Sequence, residues 1–182
     1  QRLAIGTTAS VFILGALAER VASERIAWSD ELQIRDDWKS LPSGTMQNVP
    51  HGEVHSFEEF ALRMMRDNDN TASDHLAHGL GRIALEDYFR KFSGDPARTI
   101  PFLTTAEAFK LKLGTPDRSH EYIELDDDAQ RRFLHEDGGQ LSEVRVATAS
   151  LRAWSDPVLI DTVQWFATPE ECASVMLDLR RL

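Results

Sequence analysis

Two stretches hold the residues whose types could do chemistry. Residues 66–76 read RDNDNTASDHL, and set Asp67, Asn68, Asp69 and Asn70 in a row between two apolar runs. Short polar side chains of this kind accept backbone N–H groups at helix starts and close turns, which alone would explain Asp69 and Asn70. Residues 5–17, IGTTASVFILGAL, place hydroxyls at Thr7, Thr8 and Ser10 just ahead of an apolar run. Read locally, these are an N-cap and a first-turn serine. His75 and His78 stand three apart beside Asp74, but a zinc site needs a third ligand and none lies at a suitable spacing. No metal is expected. The nucleotide-binding pattern G-x-G-x-x-G is absent, and no cofactor is expected.

The elements that must position these groups are mostly helical. Apolar periodicity predicts a helix from near Ala9 to about Ala22, capped by Thr7 or Thr8. Leu32 and Ile34 alternate with polar residues in a short edge-like strand. Pro42 and Gly44 make residues 36–44 a loop, and Pro50 to Gly52 a turn. Ser56 with Glu59 forms a capping-box pattern that opens a helix running to Arg66. Asn70 or Thr71 caps the next helix, with Asp74 in its first turn. Gly81 ends that helix or breaks it before IALEDYFRKF. Thr104 or Thr105 caps a helix through Phe109 and Leu111 that Gly114 ends. Two further helices, 125–135 and 141–153, flank Asp137-Gly138-Gly139. Pro157 starts one toward Phe166, and Thr168-Pro169 starts the last. The sum is about seven or eight helices with hardly any strand. Phe60, Met64 and Met65 form a core stripe, and Trp28, Trp38, Trp154 and Trp165 are packing anchors. His51 and His55 lie at a turn and are solvated.

Composition narrows the classes. The 182 residues carry 20 Lys and Arg against 30 Asp and Glu, a formal charge of −10. No basic cluster appears, which argues against nucleic acid as a partner. The single cysteine, Cys172, excludes an internal disulfide and any cysteine-based zinc site. The longest apolar run, VFILGALA, falls far short of the ~20 residues a membrane span needs, so it reads as a buried core helix. On these grounds alone the chain is one helical domain spanning residues 1–182.

The two opening stretches also carry a resemblance. GTTASVFILGALAERV resembles the nucleophile helix of the serine β-lactamase and penicillin-binding family, in which a Ser-x-x-Lys motif opens a buried helix. Aligned on Leu14-Gly15-Ala16-Leu17, the nucleophile position falls on Thr7 and the lysine position on Ser10. RDNDNTASDHL resembles that family's Ser-Asp-Asn loop, here Asn68-Asp69-Asn70, and the two motifs lie about 60 residues apart as in the family. IRDDWKSLPSG, DPARTIPFLTTAEAFKLK and WFATPEECASVMLDL extend the likeness to the branch of serine hydrolases related to esterase-like proteins of clavulanic acid pathways.

The resemblance implies a β-lactamase/transpeptidase-like α+β fold, present here mainly as its helical lobe. It implies a longer protein whose sheet strands lie on either side. The implied activity is hydrolysis of β-lactam or ester substrates through an acyl-enzyme, outside the cytoplasm. By position, Thr7 is the nucleophile, Ser10 stands for the general-base lysine, Asn68 for the proton-relay serine, and Asn70 is a substrate-facing amide. This chain departs from the pattern at the first three. Thr7 adds a methyl group that restricts its χ1, Ser10 cannot act as a base at neutral pH, and Asn68 has no hydroxyl. Lys39 is the nearby lysine in sequence, with nothing to place it in the pocket. Lys112-Leu113-Gly114-Thr115 follows a helical pattern and does not read as the family's Lys-Thr-Gly strand. No Glu-x-x-Leu-Asn loop is present. The departures lead to the expectation of degenerate catalytic positions. The alternatives are a pseudoenzyme that binds a cell-wall or β-lactam-like ligand, and a helical interaction module.

Overall fold

Helix α1 (Ser10–Ala22) is the axis of the structure, a computed structural model that describes residues 1–113, 116–136 and 157–182. Its run of Val, Phe, Ile, Leu and Ala has apolar residues on nearly every face, and Val11, Phe12, Ile13, Ala16 and Leu17 are all buried. Such a helix must be surrounded. Around it lie α2 (Phe57–Asp67), α3 (Asn70–Leu80), α4 (Arg82–Arg90) and the last helix, Pro169–Leu179. Phe60, Met64, Leu76, Tyr88, Phe89 and Phe102 complete this core. Each such side chain contributes ~1.5–3 kcal/mol by leaving water. The Tyr88 ring lies directly over Gly15, where an added Cβ would overlap it. Its hydroxyl donates to Asp178 at 2.9 Å, tying α4 to the last helix.

A second, smaller core holds α5 (Thr105–Leu113), α6 (Pro116–Glu124) and α7 (Asp127–Glu136) together through Leu103, Leu111, Tyr122, Phe133 and Val163. Fully buried Glu86 links the two cores: it accepts from the Phe102 N–H at 3.1 Å and pairs with Arg131 of α7. With these three in place the last helix is α8. Strand is confined to two antiparallel ribbons. β2 (Glu31–Gln33) pairs with β3 (Val54–Ser56), and β1 (Leu3–Ala4) pairs with β4 (Phe166–Ala167), Leu3 facing Ala167 and Ala4 facing Phe166. This is the expected helical lobe with a stub of sheet. Among the described residues no helix is long and apolar enough to cross a membrane.

Several expectations need correction. No side chain caps α1: residues Gly6–Ala9 form a 3₁₀ turn that leads into it, so Thr7 and Thr8 lie inside the turn. The cap of α3 is Asp69, one residue earlier than expected, because its carboxylate reaches the Ala72 N–H at 3.0 Å. Ser56 caps α2, but Glu59 turns away from it to pair with His55 at 2.9 Å, so His55 is half-buried and not solvated. Met65 is exposed, although its neighbour Met64 is buried. α6 was not anticipated, although Pro116 marks its start as Pro169 marks that of α8. Residues 157–165 form turns in place of the expected helix, and lead to β4. There Thr99 Oγ1 accepts from the Phe166 N–H at 2.9 Å and donates to its carbonyl at 3.0 Å, edge bonding that a helix would not leave free. The expected helix at 141–153, its flanking glycines, Gly114 and Trp154 lie outside the described residues.

Candidate functional site

The Asp69 carboxylate organises the site. One oxygen caps α3; the other accepts from the N–H groups of Thr45, at 2.6 Å, and Met46, at 2.8 Å. Gly44 packs against this carboxylate with φ of +93°, where a Cβ would both strain the backbone and overlap Asp69. The next two residues continue the stitching. Asn70 Nδ2 donates to the Leu41 carbonyl at 3.1 Å, and the Asn70 N–H donates to that of Ser43 at 3.1 Å. Thr71 Oγ1 accepts from the Ser40 N–H at 3.1 Å and donates to its carbonyl at 2.9 Å. The polar run therefore fastens residues 40–46 across the start of α3, and the capping reading is correct as far as it goes.

One turn later Asp74 does the same for a second helix. Its two oxygens accept from the first N–H groups of α5, Thr105 at 2.7 Å and Ala106 at 2.8 Å. It serves α5 and not the first turn of its own helix, as the sequence suggested. Complete burial raises its carboxyl to about 7, against the pull of the two N–H groups. α5 adds its own reciprocal cap, Thr104 with Glu107.

The starts of α1, α3 and α5 thus converge, and a cavity of about 270 Å³ opens between them. Thr7, Ser10, Asn68 and Asn70 all line it. Thr7 is exposed at its mouth, in the 3₁₀ turn; Ser10 is half-buried at the first position of α1. Among the described residues neither hydroxyl has a hydrogen-bond partner. Asn68 is exposed and left-handed, with φ of 51°, where α2 ends. The other wall is Gln164 and Trp165, brought in because Ile5 donates to the Trp165 carbonyl at 2.9 Å and Trp165 Nε1 donates to that of Leu103 at 3.0 Å.

Lys39 stays out of the cavity: its ammonium is held by Asp36 and by the Val49 carbonyl, both at 2.7 Å. Lys112 of α5 lines it instead. Half-buried, its amine is pushed down to about 8, because removal from water disfavours the charged form. The helical reading of residues 112–113 was right, but it treated Lys112 as irrelevant to the site. The missed signal was periodicity: Thr105, Ala108, Phe109 and Lys112 recur at i, i+3, i+4 and i+7, and all line the cavity. Asn70, Ser73 and Asp74 do the same from α3. His75 lies outside this cavity. Its Nε2 accepts from the Arg35 N–H at 3.0 Å and its Nδ1 faces the Thr71 carbonyl at 2.7 Å, so the bonded tautomer is neutral with the proton on Nδ1. His78 stacks on Trp38 at 4.6 Å. Among the described residues no group of three His, Cys, Asp or Glu side chains could hold a metal ion.

Chemically, the cavity offers free hydroxyls, side-chain amides and one amine within a largely apolar wall. Three residues after Thr7, one helical turn on, stands the Ser10 hydroxyl.

Comparison with known proteins gives the family. The chain resembles a β-lactamase from Sphaerobacter thermophilus DSM 20745 at 22% identity and a TM-score of 0.48, over 50% of this chain and 35% of that one. It resembles PBP-A, also solved as a mutant acyl-enzyme complex with penicillin G, at 20% identity and a TM-score of 0.49, over 68% of this chain and 53% of that one. The chain therefore spans between a third and about half of the length of these structures. No curated protein sequence matches it. The beta-lactamase enzyme family matches residues 2–123, two thirds of the sequence and all of the site except its Gln164–Trp165 wall. The chain belongs to the beta-lactamase enzyme family.

Proposed function

We propose that the chain binds a β-lactam-like or ester-like acyl compound in the cavity beside Thr7 and Asn70, and that it does not turn this ligand over by the acyl-enzyme route. One observation carries the reading. Ser10 shares the cavity with Thr7, Asn68 and Asn70, yet brings a hydroxyl where that route requires an amine. By position Thr7 is the nucleophile remnant, Ser10 replaces the general base, Asn68 replaces the proton-relay serine and Asn70 is the substrate-facing amide. A hydroxyl attacks a carbonyl only if a group within hydrogen-bond reach takes its proton. Thr7 has no such neighbour among the described residues. Its methyl group further limits the approach. Binding is supported by Asn70, which is fixed by two bonds to residues 41 and 43, so its position is set before any ligand arrives. Family membership supports a place outside the cytoplasm.

Benzylpenicillin tests the reading. Saturable elevation of the melting temperature, reversed by dialysis and without penicilloate formation, is the expected result. Catalytic formation of penicilloate would make the chain an active hydrolase. No shift at any concentration would favour a helical interaction module.

A further inference from the structure

We propose that a second cavity, which shares Gln164 and Leu103 with the one beside Thr7, binds a small free amino acid as its zwitterion, with the carboxylate on Arg98 and the ammonium on Asp161 and Gln164. This site does not depend on the binding reading above.

The cavity measures about 190 Å³ and is built from residues 97–101, the turn that leads into Gln164, and α6. Arg98 is held in place before any ligand arrives. Its guanidinium lies over the Phe166 ring at 4.0 Å, and its Nη2 donates to the Asp161 carbonyl at 3.0 Å. Phe166 is itself fixed, since Thr99 Oγ1 bonds both its N–H and its carbonyl. Among the described residues Arg98 makes no other hydrogen bond and no ion pair. A guanidinium offers several N–H donors in a planar fork that matches the two oxygens of a carboxylate, and here a neutral carbonyl takes only one side of it. Holding the fork in advance spares the ligand the cost of ordering it.

Asp161 lines the same cavity, and among the described residues its carboxylate has no hydrogen-bond or ion-pair partner. The link from Arg98 to Asp161 goes to the backbone carbonyl, so the two opposite charges share a cavity without pairing. A ligand with one charge answers one of them and is repelled by the other. A zwitterion answers both. Gln164 adds a third requirement: its buried side-chain oxygen has no hydrogen-bond partner, and an ammonium N–H supplies one. Arg98 and Asp161 are exposed, whereas Ile100, Leu103 and Phe166, which also line the cavity, are buried. Charged groups at the mouth and apolar ones within fit an α-amino acid with a small apolar side chain.

The test uses L-valine and D-valine, with 3-methylbutanoate, which lacks the ammonium, and isobutylamine, which lacks the carboxylate. Equilibrium binding is measured by calorimetry on the unaltered protein, on Arg98→Gln and on Asp161→Asn. At least one enantiomer is expected to bind tenfold or more tightly than either singly charged compound, and each substitution is expected to weaken that binding at least tenfold. No saturable binding of either valine overturns the assignment, as does binding of 3-methylbutanoate or isobutylamine as tight as that of valine. Valine affinity that stays within twofold in either variant places the amino acid elsewhere on the protein and overturns it too. If Arg98→Gln fails to fold, Asp161→Asn decides alone, because among the described residues the Asp161 side chain has no bond to lose. None of these results bears on the cavity beside Thr7, which benzylpenicillin tests separately.

Discussion

The Asp74 carboxylate, anchored in α3, accepts the Thr105 N–H at the start of α5 at 2.7 Å. The bond joins two helices that both line the cavity, α3 through Ser73 and α5 through Ala108. The bond is made by a carboxyl that burial raises to about 7. A folded-state value above the unfolded one means that the folded protein holds the proton more tightly. The associated stability is complete below the unfolded value near 3.8 and is lost as pH rises toward 7. In Asp74→Asn, the fall in melting temperature between pH 4 and pH 7 is expected to flatten. A variant that keeps the full slope would place the titration elsewhere.

His75 works in the opposite direction. Burial lowers its pKa below the ordinary 6.5, and its Nε2 must stay unprotonated to accept the Arg35 N–H. A depressed folded-state value gives stability that is present above 6.5 and lost as pH falls. His75→Gln is expected to lose part of the stability at pH 7 and most of the further acid sensitivity below pH 6. Chemical unfolding at several pH values measures both. An unchanged acid limb would contradict the assignment.

Asp69→Ala removes the α3 cap and leaves the Thr45 and Met46 N–H groups without their acceptor. A cap is worth ~1 kcal/mol and a buried unsatisfied donor ~1–3 kcal/mol; Met46 is buried and Thr45 exposed, so the loss is expected to be about 2–4 kcal/mol in urea unfolding. Gly44→Ala is expected to reproduce part of it by pushing a methyl group into the same carboxylate. A loss below ~1 kcal/mol for Asp69→Ala would mean that residues 40–46 are held by other contacts.

Gly15→Ala in α1 places a methyl group in the Tyr88 ring. Helix propensity alone favours alanine by ~1 kcal/mol, whereas overpacking a core costs ~1–3 kcal/mol. Tyr88 is wedged between α1 and the α8 residue Asp178, and Lys91 and Phe92 also lie against its ring, so it has little room to move. Net destabilisation is the expected outcome, read as a lower unfolding midpoint in urea. Stabilisation would show that the ring can step aside.

How far the sequence disclosed this arrangement depended on range. α2 and α8 were legible because Ser56 and Thr168 cap them within three residues. α3 was legible to within one residue, since Asp69, Asn70 and Thr71 all have capping chemistry and only geometry selects Asp69. The turn at 157–165 was misread because Val163, Trp165 and Phe166 are apolar at a spacing that fits helix or strand, and the deciding partner, Thr99, is distant in sequence. The site divided in the same way. Thr7, Ser10, Asn68 and Asn70 were found by motif and do share one cavity. Lys112 belongs to no motif, and it lies on a helix, α5, whose start is held by Asp74, far from it in sequence.

The central claim is that the cavity holds an acyl ligand without forming an ester to it. Its most direct measurement is the intact mass of the protein after incubation with saturating benzylpenicillin, with the quenched mixture analysed at once. The account predicts an unmodified mass under conditions where binding is complete. A stoichiometric penicilloyl adduct on Thr7 or Ser10 would contradict it, and would mean that a base other than the one expected at Ser10 takes the proton.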